Sequence, residues 1–426
     1  MVFQIITSTL SGQGRLTHDL LRVFPEDEYE CHVAYTRGPL MDDKHDFRFG
    51  NQWEVYFHGV MTRLTDRQGF YSKAATRQLT DYMDRLGVDL VHLHQLHGYY
   101  LHLPTLFGWL KEREVPVIWM QHDCWNFTGH CVHFSSIKCE KWRDGCHHCP
   151  IHHEYPASVA DASAKNYADK YLLFTSLSRV MIITPSKWLK DLVEESFLGV
   201  YPVTCIHNGI NLKIFRPKQP QEISFSLSRS FSGVGPNYRT TNLPNDKTTE
   251  QANEQIKVVL GLAANFNPSK GYDDFIRLRT MLPDDYVIVM VGVSAKQKRE
   301  LPDGIIGIEH TRNVEQLVDI YNQAHLFLNL TYNDNFPTTN LEAMACGTSV
   351  LTYRTGGSPH AITETTGYVV EQGDLERVRD IVLAHQKTEA TINACVARSR
   401  LFDRDTIYTQ YQALYRKMLL EVKSDE

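Results

Sequence analysis

Short apolar runs alternate with amphipathic stretches along most of the chain. Residues 3–9 form the first run, which ends in Ser11-Gly12-Gln13-Gly14. In residues 16–23, Leu16, Leu20 and Val23 share one helical face, and Pro25 stops the pattern. Further buried-strand patterns fall at 88–94, 116–121 and 179–184, the last closed by Pro185-Ser186, with Ser186 suited to cap a helix from Lys187. A second alternation begins near Val203, with strands expected at 257–263, 286–291, 325–329 and 349–353. Helical patterns lie at 272–281, 314–324, 339–345 and 374–385, and a last one at 403–420. Continuous apolar strands between helices predict parallel sheets covered on both faces. Between the halves, 218–254 is rich in Ser, Asn, Thr, Gln and Pro without periodicity, and reads as a mobile surface insertion. Ligands of two doubly wound domains belong at the carboxyl ends of the strands.

Length agrees with that picture, since 426 residues exceed one ordinary domain of roughly 100–200. A 42% hydrophobic and 22% charged chain is globular. A net charge of −6 argues against a nucleic-acid coat. There is no apolar run of about 18 residues to span a bilayer, and the start lacks the features of a secretion signal. Nine cysteines are present, five of them between Cys124 and Cys149. Without a signal peptide, such clustering favours thiols or a metal over disulfides, and a cytoplasmic location follows.

Candidate chemistry sits at the strand exits. Gly12 and Gly14, followed by Arg15, form a turn whose amides can approach a phosphate or sugar. The third glycine of a dinucleotide fingerprint is missing, which disfavours a nicotinamide cofactor. His122 and Asp123 end a buried strand, where a His-Asp pair suits substrate hydroxyls or, alternatively, a cap beside a hydrogen-bonded histidine. His92 and His94 share one strand face and read as satisfied histidines on a cleft floor. Cys131, Cys139, Cys146 and Cys149 include one short metal-type spacing, so a structural zinc and reduced, loop-packing thiols both stand as readings. The stretch from Tyr332 to Gly347 is the most informative. Pro337 suits a first helical turn and Gly347 the position after a helix, so the turn directs amides of 338–340 outward as an anion site. Asp334 lies in the loop and Glu342 inside the helix, placed to hold two groups of one ligand.

Asp334-x7-Glu342, followed by Ala343-Met344-Ala345-Cys346-Gly347 and Thr355-Gly356-Gly357-Ser358-Pro359, resembles the signature of family-4 glycosyltransferases of the GT-B fold. Ile206-His207-Asn208-Gly209, Phe215-Arg216-Pro217 and Lys270-Gly271 extend the resemblance. The first half is similar to colanic-acid-type exopolysaccharide glycosyltransferases, through His94-Gln95-Leu96-His97-Gly98-Tyr99-Tyr100, His122-Asp123-Cys124-Trp125, Lys141-Trp142 and Cys146-His147-His148-Cys149.

That resemblance implies two Rossmann-like doubly wound domains facing each other across a cleft. An acceptor-side domain would span 1–202, with a Cys/His-rich insertion near 130–155. A nucleotide-sugar-binding domain would span 203–402, and a helix over 403–426 would cross back to the first. It implies a retaining, metal-independent hexosyltransferase that uses a UDP- or GDP-sugar. The acceptor would be a growing surface polysaccharide, carried on a polyprenyl diphosphate at the inner face of the membrane. Glu342 would bind the donor ribose, Asp334 the transferred sugar and Lys270 the diphosphate, with Asn335, Phe336, Pro337, Thr338 and Thr339 around them. His122 would line the reaction centre, with Asp123 helping to polarise the acceptor. Two positions depart from the family: Asp334 stands where Glu is usual, and Asn265 where an Arg binds phosphate. These departures keep a second reading in view, a catalytically idle scaffold acting in interactions, while a glucan synthase-like polymerase is a third.

Overall fold

In the computed structural model, residues 1–9, 16–20, 29–42, 44–227 and 256–424 are described. The chain divides into two compact units, Met1–His207 with Ile407–Glu426, and Asn208–Thr406.

The first unit is built on a seven-stranded sheet: β1 (Val2–Ile5), β2 (Cys31–Tyr35), β3 (Asp46–Arg48), β4 (Leu90–Leu93), β5 (Val117–Met120), β6 (Val180–Thr184) and β7 (Val203–Cys205). All pairings are parallel, in the order β3-β2-β1-β4-β5-β6-β7. Every residue of β1, β2, β4 and β5 is buried, as strands covered on both faces must be. Because Val203–Cys205 pairs with β6, the first sheet extends past residue 202. β2, β3 and the helices Gln52–Thr65 and Lys73–Leu86 occupy a stretch for which the pattern predicts no element. Ser186 caps the helix Lys187–Glu195 by accepting the Leu189 amide at 3.1 Å.

The second unit has a six-stranded parallel sheet: β8 (Lys257–Leu262), β9 (Tyr286–Val291), β10 (Ile305–Ile308), β11 (Leu326–Asn329), β12 (Val350–Tyr353) and β13 (Gly367–Val370). The order is β10-β9-β8-β11-β12-β13. Both units are therefore doubly wound, with the order reversing beside β1 and β4 in one and beside β8 and β11 in the other. Such reversals open a crevice at the strand ends, and this rule fixes where each unit can hold a ligand.

The last helix, Arg404–Ser424, lays Ile407, Tyr408, Tyr411, Tyr415 and Met418 into a cluster of the first unit that includes Val2, Leu90 and Ile118. Each fully buried aliphatic side chain there contributes roughly 1.5–3 kcal/mol. The Tyr411 hydroxyl also meets Met120 Sδ at 3.6 Å.

The first ten residues of the expected mobile insertion are held in place. Residues 218–227 are fastened to helix Val314–Gln323, because Asp319 is wholly buried and takes Lys218 Nζ, the Ser224 hydroxyl and the Phe225 amide. A buried carboxylate without such donors would be costly, so it recruits the segment. The rest of that insertion lies outside the described residues.

Candidate functional site

In the second unit, β8 and β11 deliver two loops to the reversal point. Gly271 adopts φ +72°, and a Cβ there would stand 2.4 Å from the Leu330 carbonyl, so only glycine allows the loops this approach. Their junction is tied by the Tyr332 amide to the Ser269 carbonyl at 2.8 Å. Lys270 then reaches across. Its Nζ lies 3.0 Å from Asp334 Oδ2, 3.2 Å from the Asn333 carbonyl and 3.3 Å from Thr331 Oγ1. Both side chains keep partial solvent contact, at 33% and 24%.

The helix Thr338–Ala345 starts one residue before the expected 339, and Pro337 stands just outside it rather than in its first turn. Pro337 is its N-cap, with ψ 119°, and supplies no side-chain cap. Helix geometry leaves the Thr338 and Thr339 amides without intrahelical acceptors, so this end favours an anion. Asn335 and Phe336 are buried, and Asn208 Nδ2 donates to the Phe336 carbonyl at 2.9 Å. Beneath the turn runs a buried chain: Asn329 Nδ2 to Asn340 Oδ1 (2.8 Å), Asn340 Nδ2 to Ser358 Oγ (3.0 Å), and Ser358 to Thr352 (2.6 Å). A buried polar chain satisfied along its length rigidifies what it supports. Glu342 Oε2 accepts from the Tyr321 hydroxyl at 3.0 Å, and burial together with that carboxylate pushes the Tyr321 phenol well up. The Thr355-Gly356-Gly357-Ser358 turn closes against the same loop through Thr355 Oγ1 to the Tyr332 carbonyl, 2.8 Å.

In the first unit, β1, β4 and β5 bring histidines together. Gln4 Nε2 donates to the Thr17 carbonyl at 3.2 Å, which leaves Oε1 to accept from His94 Nε2 at 3.1 Å. His94 Nδ1 is then the acceptor toward His122 Nε2, at 3.4 Å. His92 Nδ1 meets the Tyr415 hydroxyl, and its ring centroid lies 4.0 Å from that of His94. Burial holds His92 down to about 3 and His122 to about 4, with Asp123 opposing the latter shift in part. His94 is pushed well below its ordinary value for the same reason. These rings are neutral at physiological pH.

Asp123 does not pair with His122. Its Oδ2 lies 2.7 Å from His97 Nε2 and its Oδ1 accepts the Trp125 amide at 2.9 Å. Burial, the largest influence, would raise the carboxyl, but His97, His133 and the Trp125 amide together hold Asp123 at about 2. The His-Asp couple is formed with His97, whose Nδ1 meets the Tyr155 hydroxyl at 3.0 Å. His97 and Tyr155 belong to motifs visible in the sequence, but their pairing is not. Lys170 was invisible there. Wholly buried, it lies 3.3 Å above the Trp125 ring and donates to the Trp125 and Thr128 carbonyls at 2.7 and 3.0 Å. Burial lowers its amine to about 7.

The cysteine cluster does not assemble as a metal centre. Among the described residues no three Cys, His, Asp or Glu side chains converge where one cation could sit. Cys131 belongs to the apolar core, and Cys139, Cys146 and Cys149 pack against it, all without disulfides, with Cys131 hydrogen-bonded to Cys149. Gly12, Gly14 and Arg15 fall outside the described residues.

With this geometry in hand, two family models match the chain: Glycosyltransferase Family 4 over residues 10–214 and Glycosyl transferases group 1 over 245–394. A putative colanic acid biosynthesis glycosyl transferase of Escherichia coli is 30% identical over 133 residues, 30% of this chain and 32% of that protein. A D-inositol 3-phosphate glycosyltransferase of Mycolicibacterium paratuberculosis is 22% identical over 58% of this chain and 54% of its own. The match thus spans about a third of one relative and about half of the other. Among solved structures, sucrose-phosphate synthase from Thermosynechococcus elongatus superposes with a TM-score of 0.65 at 16% identity, over 99% of each chain. Anabaena HepE in complex with UDP-glucose does so at 0.64 and 15%, over 100% of this chain and 99% of that one.

Proposed function

We propose, from the premise that the chain belongs to the glycosyltransferases, with a Family 4 amino-terminal half, a group 1 carboxyl-terminal half and the GT-B fold, that it moves a hexose from a nucleotide-diphosphate sugar to a surface-polysaccharide acceptor, with retention of configuration. The observation that carries this reading is the convergence of Lys270, Asp334 and the open amide end of helix Thr338–Ala345 at one strand-order reversal.

Expulsion of a nucleoside diphosphate concentrates negative charge on the leaving oxygen, and fixed donors there lower the barrier most. Lys270 is that cation. In the donor-free protein it rests on Asp334, and a diphosphate competes for the same ammonium. Asp334 is then released to the transferred sugar. Glu342, held by Tyr321, takes the ribose hydroxyls, and the Thr338 and Thr339 amides face the phosphates, with Asn335, Phe336 and Pro337 shaping the turn. On the acceptor side His122 is the group offered to the incoming hydroxyl. Asp123 acts on it only indirectly, by anchoring the loop through His97. The residue complement supplies its own cation at the diphosphate, so transfer is expected to survive chelation.

The acceptor is a saccharide on a lipid carrier, which places the protein at a membrane surface. No helix among the described residues is long and apolar enough to cross one. The test is transfer from UDP- and GDP-hexoses to lipid-extracted acceptors, with and without EDTA, and the anomeric configuration of the product read by NMR. An inverted product, or loss of transfer on chelation, contradicts the mechanism.

A further inference from the structure

The helix Gln52–Thr65 is turned inside out. Its inward side buries His58 and Thr62, both at 0% exposure, while Trp53 (80%), Tyr56 (68%), Phe57 (57%), Val60 and Leu64 face solvent. Positions 53, 56, 57, 60 and 64 are one stripe at helical spacing. The buried side is not a packing accident, since His58 Nδ1 bonds the Ser72 hydroxyl at 2.8 Å and His58 Nε2 accepts the Gly69 amide at 3.1 Å. The helix is thus held by polar bonds in the one rotation that exposes its apolar face. The stripe borders an open groove of about 410 Å³, lined by Val55, Tyr56, Gly59, Val60, Arg63, Leu64 and Tyr99.

The charge of the sequence stretch that carries this stripe runs against that of the whole chain. Between residues 44 and 77 the acids are Asp46, Glu54 and Asp66, and each is committed: to His18, to the capping Asn51 and to His130. Lys44, Arg48, Arg63, Lys73 and Arg77 are all exposed, and none forms an ion pair among the described residues. A chain of net charge −6 therefore carries a local excess of basic side chains without ion pairs among the described residues in the stretch that holds the exposed Trp-Tyr-Phe stripe, and Arg63 lines its groove.

We propose that this face is a membrane-docking surface, with helix Gln52–Thr65 lying in the interface of an anionic bilayer. Aromatic rings with polar tips are the side chains that prefer the headgroup boundary, and basic residues beside them add attraction to anionic lipid. At 14 residues the helix is suited to lie on a bilayer rather than cross it. The inference rests on the reading above only in that the acceptor is membrane-borne.

The experiment is vesicle co-sedimentation of the full chain, using phosphatidylcholine vesicles with and without phosphatidylglycerol. Light scattering and donor hydrolysis in solution are measured in parallel. The expected result is salt-sensitive binding to the anionic vesicles, weakened about tenfold or more by Trp53→Ser with Phe57→Ser and by Arg63→Gln with Lys73→Gln. All variants hydrolyse the donor as the unaltered chain does. Absence of vesicle binding by an active, monomeric chain overturns the docking surface and leaves the transferase reading intact. A dimer that Trp53→Ser with Phe57→Ser converts to monomer also overturns it, assigning the stripe to a second copy. Vesicle binding by a chain that hydrolyses no donor upholds the surface and removes the function instead.

Discussion

Lys270 and Asp334 are sixty-four residues apart in sequence and 3.0 Å apart in space, joined where the loops after β8 and β11 meet. The pair is partly exposed, so its own contribution to stability is small. Its importance lies in keeping a cation and a carboxylate in register at a site with an open helix end. Removing a fixed donor at a developing anion lowers turnover by roughly 10²–10³. Lys270→Ala is expected to cost at least that much, with the thermal midpoint nearly unchanged. Asp334→Glu restores the family's usual acid and should retain activity, whereas Asp334→Ala should not. Steady-state kinetics with matched unfolding curves checks all three.

Tyr321 and Glu342 give a finer test. Tyr321→Phe removes one hydroxyl from a buried contact and leaves Glu342 with a lost donor. A hydrogen bond to a charged group contributes roughly 1.5–3 kcal/mol. If Glu342 grips the ribose, nucleotide affinity should weaken about five- to tenfold while turnover of bound donor changes less. A calorimetric titration with UDP and GDP measures it. An unchanged affinity would separate Glu342 from the nucleotide.

The histidines of the first unit predict an acid-labile fold. His58, His92, His94 and His122 are neutral when folded because burial depresses them, and all recover ordinary values when unfolded. As the pH falls below about 6.5 the unfolded chain binds protons that the folded chain refuses, so stability drops. Each such group costs roughly 1.4 kcal/mol per pH unit in that window. His130 opposes the trend. Burial would lower it, but its bond to Asp66 raises it, so its contribution is largest at low pH and fades as the pH rises. His102, also held down by burial, adds to the four, and five against one leaves a net loss. Urea midpoints between pH 7.5 and 5.5 should fall steeply, and replacing His58 with Gln should flatten the slope.

Asp319 predicts a local effect. Asp319→Ala strands Lys218 and frees the Ser224 and Phe225 donors, and breaking such a buried pair costs about 3–5 kcal/mol. Residues 218–227 should become sensitive to protease, while the first unit's melting transition stays in place.

How far these features could be read from the sequence depended on whether the information was contiguous. The turn and helix from Asp334 to Gly347 were legible because they form one strand-turn-helix phrase, and Lys270-Gly271 stands in an equally local one. Pro337 moved by a single position, from first turn to cap, a difference set by its ψ of 119°. The bond from His97 to Asp123 was not legible, because His97 reaches it from the end of a neighbouring strand. The helix Gln52–Thr65 escaped because its apolar stripe faces outward, so its periodicity carries no sign of which side is buried. The cysteine spacings left ligands and packing thiols both open; Cys131 and Cys149 do come together beside the apolar core, but among the described residues no three ligating side chains converge.

The most direct measurement is the release of UDP or GDP from a panel of nucleotide sugars by the purified chain, beside Lys270→Ala and Glu342→Ala. The account predicts slow hydrolysis of one donor class by the unaltered chain, and loss of that release in both variants with their folds intact. Undiminished release by either variant, or no release and no nucleotide binding by the unaltered chain, would contradict it.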